Sequence, residues 1–72
     1  MKSREEIEVQ IQKLEKDYAH VLNRTDVTAF NNIIVSGMQA EVTGQLSQLY
    51  WVLEKKAPLY PWQQALFDRV GR

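Results

Sequence analysis

Residues 27–53, VTAFNNIIVSGMQAEVTGQLSQLYWVL, decide the fold, because they include a single charged residue, Glu41. Polar residues such as Asn31, Gln39 and Thr43 interrupt the apolar runs. No apolar run therefore reaches the roughly 18 residues of a membrane span. A helix with one solvated face normally carries more charge than this. We predict a long helix over about residues 26–56 that buries two faces, and we expect no membrane insertion.

The two faces of the long helix differ in side-chain size. At about 100° per residue, one face collects bulky aliphatic residues, namely Ile34, Val35, Met38, Val42, Leu46, Leu49, Val52 and Leu53. The other face, called the glycine face below, is mostly small between two aromatic ends, and comprises Phe30, Ile33, Gly37, Ala40, Gly44, Ser47 and Trp51. Two such different surfaces predict two kinds of helix contact.

Gly37 and Gly44 each cost a helix interior about 1 kcal/mol relative to alanine. Close approach of another helix backbone would offset that cost. We therefore predict close packing on the glycine face, and we expect Gly44→Leu to destabilise the protein by about 1–3 kcal/mol through overpacking. The first helix could pack here while the bulky face forms a dimer, or the reverse. The sequence leaves both arrangements open.

The N-terminal segment predicts a first helix over about residues 4–22. Ser3 followed by Glu6 matches a capping box. Apolar residues then recur at alternating spacings of four and three, as in a coiled-coil seam, at Ile7, Ile11, Leu14, Tyr18 and Val21. The following link, residues 23–26, is so short that the long helix must return antiparallel to the first. The sequence thus predicts a helical hairpin.

The C-terminal segment predicts a short third helix over about residues 61–70. Pro58 ends the long helix, and Pro61 suits the first position of the next one. Five of the seven aromatic residues lie at or after residue 50, namely Tyr50, Trp51, Tyr60, Trp62 and Phe67. Aromatic residues dominate binding hot spots, which makes these five a candidate partner surface. They also serve to cover a small core, and that reading stays open.

Composition favours a self-associating chain. At 72 residues the chain allows one domain, residues 1–72, and a core of this size usually needs a disulfide, a metal or association to support it. Cysteine is absent and His20 is the only histidine. We therefore predict a homo-oligomer, with no metal and no cofactor. Nine acidic residues balance nine basic ones, so we expect no nucleic-acid binding.

Function follows less directly from the sequence than fold does. No phosphate loop, nucleophile elbow or His/Cys/Asp cluster occurs, so we expect no enzyme. The charged N-terminal residues do not match a signal peptide, and we expect a cytoplasmic protein. Helical hairpins of this length with a Trp-Val-Leu helix end, Trp51–Leu53, resemble many small bacterial and phage proteins, which implies an accessory role.

The predicted fold class is all-α, a hairpin with a short first and a long second helix, plus a short C-terminal helix, assembled into an oligomeric bundle. The predicted function is to bind and modulate a larger protein partner. The alternatives are an assembly subunit whose role is the oligomer itself, and an oligomer that binds a small ligand between its subunits.

Overall fold

The computed structural model describes residues 3–70, and within that range all regular secondary structure is helical. The predicted all-α class is therefore confirmed. The helices are α1 (Arg4–Asp17), α2 (Ala19–Leu22), α3 (Ile33–Val52) and α4 (Pro61–Val70). Among the described residues, no helix is long and apolar enough to cross a membrane.

The predicted first helix is present over its full length but is broken at Tyr18. Ser3 caps it, with its Oγ accepting from the Glu6 amide at 3.2 Å, and this confirms the predicted cap. Tyr18 has a φ of −109° and a ψ of 17°, outside the helical range. The amides of Val21 and Leu22 both donate to the Tyr18 carbonyl at 2.9 Å, so helical bonding resumes at once as α2.

The long helix begins later than predicted, at Ile33 rather than near residue 26. Thr28 and Asn31 instead form two hydrogen bonds with each other. The Thr28 amide donates to Asn31 Oδ1 at 2.8 Å, and the Asn31 amide donates to Thr28 Oγ1 at 3.1 Å. Such side chains compete with the helix for backbone groups. Asn32 then caps α3, its Oδ1 accepting from the Val35 amide at 3.1 Å.

The long helix also ends earlier than predicted, at Val52 rather than near residue 56. Glu54 adopts a left-handed φ of 58°. Its amide donates to the Trp51 carbonyl at 2.9 Å, and the Lys55 amide donates to the Tyr50 carbonyl at 3.0 Å. These two bonds form a Schellman motif, which normally places glycine at the left-handed position.

Glu54→Gly is therefore expected to raise the free energy of unfolding by about 0.5–1 kcal/mol. A left-handed conformation costs an L-residue about 1–2 kcal/mol, and the greater freedom of glycine in the unfolded chain offsets part of the gain. The matched control is Glu41→Gly, at an exposed position in the middle of α3. This substitution should lower the free energy of unfolding by about 1 kcal/mol. Urea unfolding of both variants at one protein concentration measures this, and a loss of stability in Glu54→Gly would contradict the motif.

The core lies between α1, α2 and the bulky face of α3, and not on the glycine face. Arg4 and Lys55 flank the core. Arg4 Nη2 donates a hydrogen bond to the Leu53 carbonyl at 3.5 Å, and Lys55 Nζ forms an ion pair with a Glu8 carboxylate oxygen at 3.5 Å. Two members of the predicted bulky face, Ile34 and Val52, are exposed. The buried cluster consists of Ile7, Ile11, Leu22, Val42, Leu46, Leu53 and Tyr60.

The C-terminal segment covers the end of α3. With 20 residues, α3 is about 30 Å long, about two-thirds of the length expected from the sequence. Leu53 and Tyr60 are buried in the same cluster, so the C-terminal segment covers the core side of the end of α3, while Trp51 and Val52 stay exposed on its other side. The predicted third helix is confirmed at Pro61–Val70.

Candidate functional site: the glycine face and the aromatic residues

The glycine face forms the solvent-exposed side of α3. Ile33 is 73% exposed and Trp51 is 80% exposed, one at each end of the helix. Between them Gly37, Ala40 and Gly44 are exposed, as is Ser47. Five helical turns therefore present a side of apolar or small residues, which the exposed side chains of Glu41, Gln45 and Gln48 border along one flank, and the buried face lies on the opposite side.

Nothing in the described chain approaches the two glycines of α3. A Cβ atom built at Gly37 or at Gly44 would meet no atom within 4 Å. The prediction that the first helix could pack closely here is therefore wrong. So is the expected overpacking by Gly44→Leu within one chain, because the site is open. Close packing against a second copy stays a prediction.

Phe30 and Glu41 also differ from their predicted places. Phe30 is fully exposed, but it precedes α3 in a turn where its amide donates to Thr28 Oγ1 at 3.3 Å. Phe30 therefore lies outside α3, and only Trp51 ends the glycine face as predicted. The helical spacing predicts Glu41 between the two faces and half-buried, but Glu41 is exposed beside the glycine face, because the core lies on the opposite side of α3.

Two of the five predicted partner-surface aromatics bind one carboxylate inside the chain. The hydroxyl of Tyr60 donates to Glu15 Oε2 at 2.8 Å, and the hydroxyl of Tyr50 donates to the same oxygen at 3.1 Å. Tyr60 is only 8% exposed. It serves the core of this chain, contrary to its prediction as a partner contact.

Both hydroxyls stay protonated and keep donating to Glu15. Burial raises the pKa of Tyr60 and of Tyr50, because it disfavours the tyrosinate form. Glu15 raises each pKa further, by accepting the hydroxyl hydrogen and by its negative charge. The two tyrosines and Glu15 therefore connect the C-terminal segment, α1 and α3 by hydrogen bonds.

Of the other three predicted partner-surface aromatics, one contacts the inside of the chain and two are exposed. Trp62 is half-buried, and its Nε1 donates to Thr43 Oγ1 at 3.0 Å. Trp51 and Phe67 are exposed. The structure therefore divides the predicted surface, leaving Trp51 and Phe67 for contacts outside the chain.

Sequence reasoning missed two buried polar residues of α3 and one carboxylate of α1. Gln39 and Thr43 are buried, and Glu15 is half-buried. A signal for the first two exists, because Gln39, Thr43 and Leu46 follow the four-then-three spacing of a buried seam. Their polar character hid that spacing from a count of apolar residues.

No group of three His, Cys, Asp or Glu side chains that could hold a metal occurs within residues 3–70. His20 is exposed on α2. The exposed glycine face is therefore the strongest candidate site that this part of the chain offers.

Comparison with known proteins adds no relative. The chain matches no protein family, and neither the curated proteins nor the solved structures include a significant match to it. A function for this chain must be proposed from its own surfaces.

Proposed function

We propose that this chain is a small non-enzymatic protein that self-associates through the glycine face, Trp51 included, and binds a larger protein partner through the exposed Phe67 of α4. One observation carries the proposal, the exposure of an uncharged apolar side along the whole of α3, from Ile33 to Trp51. Contiguous apolar patches of this kind mark interaction sites in small soluble domains.

The same proposal includes an antiparallel hairpin of α1 and α3. Contacts between them occur in reverse order along the chain. Arg4 bonds to Leu53, and Val21 bonds to Gln39. This order supports helices that run in opposite directions, with the glycine face on the outside of the hairpin.

A second copy of the chain suits the glycine face by size and by charge. Trp51, at the C-terminal end of the glycine face, and Phe30, just before its N-terminal end, expose on the order of 300–500 Å² together, a large part of the roughly 800 Å² that each partner buries in a standard interface. The face carries no charge, and Glu41 lies at its edge. Two copies can therefore meet with both Glu41 carboxylates at the rim of the contact, where their charges stay solvated.

The spacing of the glycine face is also self-complementary. A two-fold axis between Ala40 and Glu41 would place Gly37 opposite Gly44 of the second copy. The same axis would bring Ile33, at one end of the glycine face, close to Trp51 at the other end of the second copy's face. Small residues at the crossing point allow close approach of two helices, and bulky residues fill the space where the helices diverge.

Gly44→Leu tests this self-association. At concentrations where the wild type is monomeric, the variant is expected to be more stable by about 0.5–1 kcal/mol, because leucine is a better helix former and the site is open. At micromolar concentration, sedimentation equilibrium should show a dimer or larger species for the wild type. The variant should have a dissociation constant at least about tenfold higher, because its side chain would block close approach.

The matched control is Gln45→Leu, the next residue of α3, which is exposed at the side of the glycine face. It adds the same side chain and should leave self-association unchanged. A wild type that sediments as a monomer at micromolar concentration would refute the proposal. Equal weakening by both substitutions would refute the glycine face as its site.

An assembly subunit is the second candidate function. It is favoured by a second exposed apolar surface on α4, formed by Leu66, Phe67 and Val70. A chain with two separate self-associating surfaces would form particles or filaments rather than a closed dimer. Native mass spectrometry distinguishes the two candidate functions. A single dimeric species supports the first, a closed dimer that binds a partner, and an extended series of masses supports the assembly subunit.

A further inference from the structure

We propose that residues 58–70, called the C-terminal strap below, open and close as one unit on the body formed by α1, α2 and α3. The strap contains α4, in which no residue is buried. Tyr60 is its single buried residue. A segment with so little buried apolar surface opens at a lower free energy than the core it covers. This proposal is independent of self-association through the glycine face.

Three directional hydrogen bonds define the closed position of the strap. Tyr60 donates to Glu15 of α1 at 2.8 Å, and Trp62 donates to Thr43 of α3 at 3.0 Å. At its far end, Arg69 Nη2 donates to the Thr25 carbonyl, in the link before α3, at 2.6 Å. The three bonds reach three different segments of the body, so that the strap fits it in one position.

The hinge lies in the irregular segment between α3 and α4, at residues 56 and 57, because the Lys55 amide donates to the Tyr50 carbonyl at 3.0 Å and holds residue 55 on the body. Pro58 and Pro61 fix two φ angles beyond this segment, so that the strap moves as a stiff piece. The bonds between Gln63, Gln64 and the Tyr60 carbonyl, at 2.9 and 3.1 Å, join Tyr60 to α4. Releasing Tyr60 therefore releases α4 with it.

Opening of the strap changes the surface of the body. Tyr60 belongs to the buried cluster that includes Leu46 and Leu53. When the strap opens, these leucines lose cover and a second apolar surface is exposed, opposite the glycine face. The strap is thus a device that controls access to the core side of α3.

Tyr60→Phe and Tyr50→Phe form a matched pair that tests the strap. Both substitutions remove a hydroxyl that donates to Glu15 Oε2, and both keep the ring. Only Tyr60 lies in the strap. Amide hydrogen exchange of the whole chain is the measurement, read separately over α1, α3 and α4.

Tyr60→Phe is expected to speed exchange in α4 about tenfold, as one lost hydrogen bond to a charged group implies, with α1 and α3 changed less than about twofold. Tyr50→Phe should leave exchange in α4 within about twofold of the wild type. Equal acceleration in all helices, or no acceleration in α4, would overturn the proposal. If Tyr60→Phe does not fold, Thr43→Val removes the acceptor of Trp62 and should give the same selective change in α4.

Discussion

Leu46→Ala is expected to lower the free energy of unfolding by about 3–5 kcal/mol, which would leave much of the chain unfolded at room temperature. Leu46 is 0% exposed. It lies at the centre of the cluster shared by α1, α3 and Tyr60. A domain this small has no second core that could compensate for the cavity. Circular dichroism during urea unfolding measures the effect.

Leu66→Ala is the matched control for this substitution. Leu66 is also a helical leucine, but it is largely exposed on α4, and its truncation should cost less than about 1 kcal/mol. Similar losses from both substitutions would contradict the placement of the core. A small loss from Leu46→Ala alone would contradict its burial.

The sequence predicted the helices well wherever the signal was local. The Ser3 cap, the seam of Ile7 and Ile11, and the helix that starts at Pro61 all rest on neighbouring residues. Caps, heptad spacing and proline act within one or two turns, and these features are readable from one segment at a time.

The ends of α3 were not predicted, because weak local signals compete there. Thr28 and Asn31 are compatible with a helix by spacing, yet they bond each other and hold the chain in a turn. Glu54 adopts a left-handed conformation, which its residue type does not predict. The length of α3 was therefore overestimated.

The roles of the aromatics depended on contacts that no local pattern contains. Glu15 and Tyr60 are 45 positions apart in the chain, and Thr43 and Trp62 are 19 apart. Periodicity identifies which side of a helix is apolar, but it does not identify which distant carboxylate a tyrosine will meet. The split between the internal aromatics and the exposed Trp51 could be seen only in the folded chain.

Gln39→Leu is expected to lower the free energy of unfolding by about 2–3 kcal/mol, although it adds apolar character to a buried site. Gln39 is 2% exposed, and its Nε2 donates to the Val21 carbonyl at 3.0 Å and to the Arg24 carbonyl at 3.1 Å. Carbonyl groups at a helix end lack partners within the helix. The Gln39 side chain supplies a partner for the Arg24 carbonyl and a second one for the Val21 carbonyl, which also accepts from the Arg24 amide at 3.3 Å.

Leucine is similar in volume to glutamine, although it branches one carbon earlier, and it has no donor, so the substitution separates hydrogen bonding from volume. The control is again Gln45→Leu, because Gln45 is exposed on the same helix and its change should stay within about 0.5 kcal/mol. If Gln39→Leu were as stable as the wild type, burial of the leucine would outweigh the two lost bonds. Gln39 would then fill space on α3 and would not be the group that joins α3 to the end of α2.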